Sequence, residues 1–415
     1  MNLLKSSFYS SISTGISFIS GFVLIKVVSS QIGPSGIAIV GQFQNTIALF
    51  ALFGTLAINN GVVRAVAQYA EDREKVQQIF NNALLVTLAC SLLISLVIAL
   101  MSHSLAASSL HNEDLWIVFF CYSIFFSLTG INSIISNVYN GLHEIKKLTF
   151  VNIASSLIGV SFTIGFSLKW KLTGVLLAVN AAPLSLFIIN IGVLRKLGLR
   201  LFPNRLFGAV DHTILKGFLA FTLMNLVSGI VAPITQLLVR NKIISDYSAQ
   251  EAGYWQGVTK ISDYYLQFIT TVLGIYYLPK LASLKTDAEI KLEVRNGYKI
   301  ILPVVGVLAI GIWLCAKWII LILFSKEFLP MQPFFSFQLL GDFFKMASWL
   351  PGYLMIAKSM TRLYILTEVV FSTTFVLLSW FFIQYYGAIG ATYAFCLNFF
   401  AYMLFMSIKF RKIVF

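Results

Sequence analysis

Apolar stretches long enough to cross a bilayer follow one another from end to end of the chain. A helix rises about 1.5 Å per residue, so about 20 apolar residues cover the hydrocarbon. Twelve such spans are predicted, at 8–29, 37–60, 79–103, 115–140, 148–168, 174–194, 213–236, 254–279, 300–324, 333–357, 363–383 and 388–408. The ten-residue alternation of a transmembrane β-barrel is absent. The connecting loops are too short to hide a soluble domain. The first run is too long for a cleaved leader and no small-residue cleavage pattern follows it, which predicts a true first span.

One span is patterned differently from the rest. In the eighth, Gln256, Lys260, Asp263, Gln267, Thr270, Thr271 and Gly274 recur at steps of three and four, the spacing of one helical face. Leu266, Ile269, Leu273 and the tyrosines cover much of the remainder. Ionisable groups in hydrocarbon cost about 3 kcal/mol each unless partnered or wetted. The stripe must therefore look into a protein interior or a water-filled cavity. The tenth span repeats the device with Gln338, Asp342, Lys345 and Trp349. In each span an acid and a base three residues apart are placed to pair, either as locks between helices or as working groups.

Composition fits this pattern. Of 415 residues, 58% are hydrophobic and 11% charged, against about 25% charged in soluble domains. The formal net charge is +14, but its distribution is topological and gives no reason to expect nucleic acid as a partner. With the N-terminus inside, twenty of the thirty Lys and Arg residues fall in inner segments and five in outer loops. That bias predicts cytoplasmic termini. The four cysteines all lie in predicted spans, as packing residues rather than a disulfide framework. The four histidines lack ligand spacing, so no metal is expected.

The halves look related. At an offset of 216 residues, Lys75 matches Lys291, Lys146 matches Arg362, Gly174 matches Gly390 and Arg195–Lys196 matches Arg411–Lys412. Six spans per repeat is even, so the repeats run parallel about an axis along the membrane normal. The expected fold is all-α integral membrane: twelve transmembrane helices in two six-helix lobes, residues 1–205 and 206–415, related by a pseudo-twofold axis around a central cavity. Val62–Gln78 and Leu281–Lys299 are amphipathic and are expected to lie along the cytoplasmic interface.

Other charges inside spans have two readings each. Lys26 either snorkels to the outer surface or faces the cavity. Glu368 either pairs locally with Arg362 or titrates with a coupling ion. Arg64, Lys216 and Arg240 sit at span ends, where snorkelling to headgroups is the default. Asn45, Asn59 and Asn60 either pack helices or line a cavity. The serines at 6, 10, 13, 17 and 20 and the Thr129–Asn140 stripe read as close packing. Cations outnumber acids within the spans, so a shared cavity would attract an anion, with a phosphate ester the obvious class.

GYWQGVTKISDYYLQFITTVLGIYYLPKL (Gly253–Leu281) resembles the eighth-helix region of Wzx-type flippases, in the multidrug/oligosaccharidyl-lipid/polysaccharide exporter superfamily. IGPSGIAIVGQF (Ile32–Phe43) looks like that family's glycine-proline turn between the first two helices, and Phe337–Glu368 resembles its tenth and eleventh. The resemblance implies translocation of undecaprenyl-pyrophosphate-linked oligosaccharide, for O-antigen or enterobacterial common antigen, across the bacterial inner membrane. It implies a V-shaped cavity to which Lys26, Arg64, Lys260 and Asp263 contribute, with Asn59 and Gln267 as further lining candidates. Asp263, Asp342, Lys345 and Glu368 are candidates for ion coupling. No cofactor is expected, and no ATP-binding motif is present. Membrane lipid, the polysaccharide polymerase and the chain-length regulator are the expected surroundings. Two alternatives remain: a cation-coupled multidrug exporter of the same superfamily, and a membrane-embedded polymerase or ligase, which would be an enzyme.

Overall fold

The computed structural model describes residues 3–199, 201 and 222–411; among them there is no β-strand. Fourteen α-helices follow in order: α1 Leu3–Gly54, α2 Asn59–Gln68, α3 Arg73–Leu100, α4 Ser102–Leu110, α5 Trp116–Gly141, α6 Ile145–Lys196, α7 Thr222–Asp246, α8 Ala249–Val272, α9 Leu278–Ser283, α10 Asp287–Leu314, α11 Ala316–Leu323, α12 Phe334–Ala357, α13 Thr361–Tyr386 and α14 Gly390–Lys409. The expected lobe boundary at 205/206, the start of the seventh span, Lys216 and the end of the RLFPNRLFG loop lie outside the described residues.

Two helices are more than twice the length a bilayer needs, and each breaks in its middle. α1 turns at Gly33, whose φ of 63° is open to glycine and strained for other residues. Pro34 follows, with no N–H to continue the ladder. α6 breaks at Lys171, a non-glycine held at φ 47°. Both breaks fall at turns set by the hydropathy pattern. The starts of α3, α8 and α10 carry side-chain caps: Asp72 accepts from the Lys75 N–H, Ser248 from Glu251, and Thr286 with Glu289 forms a reciprocal capping box. Backbone N–H bonds from Thr286 and Lys285 hold the Glu289 carboxyl below the usual carboxylate range.

Among the described residues, six helical stretches are long and apolar enough to cross a membrane: Ser13–Gly54, Arg73–Leu100, Glu113–Gly141, Ile145–Lys196, Asp287–Leu314 and Thr361–Lys409. α7, α8 and α12 are 25, 24 and 24 residues long and carry Arg240, Lys260 with Asp263, and Asp342 with Lys345.

The chain divides into two compact units, Met1–Gln31 with Gln42–Ile230, and Ile32–Gly41 with Val231–Phe415. The turn in α1 thus packs with the second unit, while its two arms belong to the first. In the first unit Val62 and Val66 of α2, Ile79 and Phe80 of α3, and Ile134 and Val138 of α5 share a core. In the second, Leu266 and Ile269 of α8, and Leu273 just past its end, pack with Val294 of α10 and with Met346 and Leu350 of α12. Leu92, Leu96 and Leu100 on α3 and Val307 and Leu314 on α10 remain exposed, as apolar lipid permits.

Two expectations need correction here. Residues 287–299 do not form a separate interfacial helix; they are the first turns of the continuous 28-residue α10. The capping box at Thr286 starts that helix early, and Ile290 and Val294 bury its inner face. Cys315 is exposed rather than packed, because it lies at the break between α10 and α11.

Candidate functional site

The charged residues predicted from α8 and α12 come together in the second unit. Asp342 is fully buried. Its Oδ2 accepts a 2.8 Å hydrogen bond from the Tyr265 hydroxyl on α8, and the Gln338 amide lies at 3.5 Å from Oδ1, one turn back on α12. Three residues on, the Lys345 ammonium lies over a box of aromatic faces: Trp349 at 5.0 Å, Phe399 at 5.6 Å and Phe395 at 5.7 Å. A ring quadrupole attracts a cation, by about 2 kcal/mol where water is excluded. The box is assembled from spacing: Trp349 sits four residues from Lys345 on α12, and Phe395 and Phe399 sit four apart on α14.

Lys345 is within electrostatic reach of three carboxylates, Asp342, Asp263 and Glu368. Lys260 is in reach of Asp263 and of Arg240. The predicted pairs do not close, however. Among the described residues the ion pairs are His103–Glu113, Lys147–Glu144 and Lys242–Asp246. Neither Lys260–Asp263, Asp342–Lys345 nor Arg362–Glu368 is one of them. Tyr265 takes the place of Lys345 at Asp342, and the aromatic box holds the ammonium instead. Glu368, expected beside Arg362, is half-buried and senses Lys345. The result is a set of charges near one another without mutual neutralisation in contact, which leaves them able to respond to an incoming ion or ligand.

Exposure grades along α8. Ala252 through Val258 are buried without interruption; Lys260 is half-buried; Asp263 and Gln267 are exposed. The polar face is therefore sealed toward the start of the helix and open beyond Asp263. It ends at a π-helical turn, Leu273–Tyr277, a feature frequent at functional sites.

Arg240 was expected to snorkel from a span end, and this too is corrected. It is 1% exposed. Its guanidinium donates to the Gln256 side-chain oxygen and lies 5.6 Å from the centre of the Trp255 ring. The last turns of α7 and the first turns of α8 fold back on each other, so the arginine meets protein. Arg240, Tyr265 and the two phenylalanines of α14 were not identified from sequence. Arg240 and Gln256 are sixteen residues apart, and no periodicity reports a contact between different helices.

The candidates in the first unit are placed differently. Lys26 and Arg64 are exposed. Asn59 accepts from the Asn137 amide at 2.8 Å and the Ser133 hydroxyl at 3.2 Å, so it ties α2 to α5. Ser17 and Ser156 meet at 3.1 Å between α1 and α6.

Residues 3–285 match the family described as polysaccharide biosynthesis protein. The chain belongs to that family. Within it, the chain is 29% identical over 409 residues to the Lipid III flippase of Escherichia coli (strain K12), covering 97% of this chain and 96% of the relative. Solved structures share the architecture of this chain. An inward-facing multidrug resistance MATE family transporter of the MOP superfamily superposes with a TM-score of 0.82 at 14% identity, covering 95% of this chain and 94% of that one. An outward-facing transporter of the same kind gives 0.70 at 15% identity, covering 98% and 95%. At those identities the likeness carries the all-helical fold alone.

Proposed function

We propose that this chain is a flippase that moves undecaprenyl-pyrophosphate-linked oligosaccharide from the cytoplasmic to the periplasmic leaflet of the bacterial inner membrane, for surface polysaccharide synthesis. The observation that carries the reading is the charged face of α8 and α12: Asp263 lies within reach of Lys260, Lys345 and Asp342, which makes a continuous run of charges on helices of membrane-spanning length. Nearly full-length similarity to Lipid III flippases supports the substrate class.

In this reading the chain is a transporter rather than an enzyme. Twelve spans form two six-helix lobes with both termini cytoplasmic, and the lobes rock to expose a central cavity alternately to each side. Lys260 attracts the pyrophosphate, as clustered cations attract phosphate oxygens. Gln267 and the hydroxyls beyond it accommodate the glycan, and the prenyl tail stays in lipid. Lys26, Arg64 and Asn59 extend the lining. Asp263, Asp342, Lys345 and Glu368 couple the cycle to an ion gradient: adding a cation among the three carboxylates competes with the Lys345 ammonium and shifts it relative to its aromatic box. The polymerase and the chain-length regulator receive the product.

The test is reconstitution of the purified protein in liposomes with a defined undecaprenyl-pyrophosphate-linked saccharide. The reading expects the saccharide to appear in the opposite leaflet in a protein-dependent manner. Absence of transfer together with gradient-driven efflux of cationic drugs would replace it with the multidrug-exporter reading. Glycan polymerisation by the protein alone would replace it with an enzyme.

A further inference from the structure

The turn of α1 rests on the sealed end of α8. A Cβ placed on Gly253 would lie 2.0 Å from the Pro34 carbonyl oxygen, so here backbone meets backbone and no side chain fits between. A Cβ on Gly41 would lie 2.8 Å from the Gln256 carboxamide and 3.2 Å from Cζ of Arg240. The backbone of the turn is thus laid directly over the Arg240–Gln256 pair. Nearby, Tyr254 anchors the seam by donating to the Glu327 carbonyl at 3.1 Å. Arg240 and Lys260 lie within reach of each other's charge, and two cations held near one another in low-dielectric surroundings repel. A doubly charged anion relieves that repulsion. A guanidinium presents the planar fork that phosphate oxygens accept.

Residues Ile32–Gly41 pack in the second unit while both flanking arms of α1 belong to the first. Any motion of α1 relative to α8 must therefore break or carry this seam. We propose that Arg240 is a second anion-binding cation for the lipid-linked substrate, covered in this conformation by the Gly33–Gly41 turn and uncovered when that turn lifts from α8. The headgroup then passes from Lys260 to Arg240 on its way to the outer side. This inference rests on the flippase reading for the identity of the anion, but the lifting of the turn does not.

The turn is tested without substrate. With Cys90, Cys121, Cys315 and Cys396 replaced by serine, Arg240→Cys is exposed to a membrane-impermeant maleimide from the outer side. Slow labelling is expected, accelerated about tenfold by adding Gly253→Ala, which forces the turn off its seat. No labelling in either protein overturns the cover. The cation is tested in liposomes carrying the native arginine or its variants. Arg240→Gln is expected to lower saccharide transfer about tenfold and Arg240→Lys to restore part of it, with unchanged melting temperatures. Wild-type transfer by Arg240→Gln overturns the anion-binding role, as does a loss that Arg240→Lys fails to relieve. If the wild-type protein itself moves no lipid-linked saccharide, the flippase reading fails, while the labelling still decides the turn.

Discussion

The two units use polar residues in different ways. In the first, the buried polar side chains are neutral, and their amides bond from helix to helix. Asn190 donates to the Asn132 oxygen at 2.9 Å, Asn132 donates to the Pro183 carbonyl at 2.9 Å, and Asn180 donates to the Val118 carbonyl at 3.1 Å. These carboxamides join α5 to the second arm of α6. The second unit adds charges to its buried neutral groups: Arg240 and Asp342 are buried and Lys260 and Lys345 half-buried, with an amide at Arg240, a phenol at Asp342 and aromatic faces at Lys345 rather than closed ion pairs. Neutral amides in a membrane are joints between helices, each worth about 1 kcal/mol. Charges cost several times more, and those of the second unit, not cancelled in contact, are the ones the proposed function assigns to a charged ligand.

The comparison is broken most sharply at Lys260. Lys260→Ala is expected to abolish surface polysaccharide in a strain lacking its own flippase, with protein level unchanged; polymer of normal amount and length would put Lys260 among the joints. Asp342→Asn keeps an acceptor for Tyr265 and removes the charge. It is expected to reduce transfer about tenfold and to flatten the dependence on the ion gradient. Tyr265→Phe leaves the carboxylate with one hydrogen bond fewer, and a loss of about threefold in transfer is expected, without loss of fold. In the first unit, Asn190→Leu is expected to lower stability by about 1 kcal/mol in a denaturation series, with transfer per folded molecule unchanged. A selective loss of transport there would erase the distinction between the units.

The smallest effect concerns the start of α10. Glu289 has a depressed folded pKa, so its contribution to the capping box is present above the ordinary carboxylate range and is lost as pH falls through the folded value. Amide exchange in the first turn of α10 should therefore rise at low pH, and Glu289→Gln should remove that pH dependence.

The all-helical fold was legible because lipid imposes one rule on every helix that crosses it: about 20 apolar residues in a row. The breaks at Gly33–Pro34 and near Lys171 followed from that rule. The stripe on α8 was legible because a helix repeats every 3.6 residues. What spacing could not supply was the choice of partner. Lys260–Asp263 and Asp342–Lys345 have the separation of pairs on one helix, but Tyr265 from α8 and the phenylalanines of α14 compete for the same groups. Arg240 was misjudged for the same reason. Its distance from a span end says nothing of the α1 turn or of Gln256, which meet it only in three dimensions.

The central claim is that the charges of the second unit hold the anionic headgroup. Native mass spectrometry of the purified protein with an undecaprenyl-pyrophosphate-linked saccharide tests it directly. The account predicts a retained adduct on the wild-type protein that is lost in Lys260→Ala and kept in Asn190→Leu. Equal retention by wild type and Lys260→Ala would contradict it.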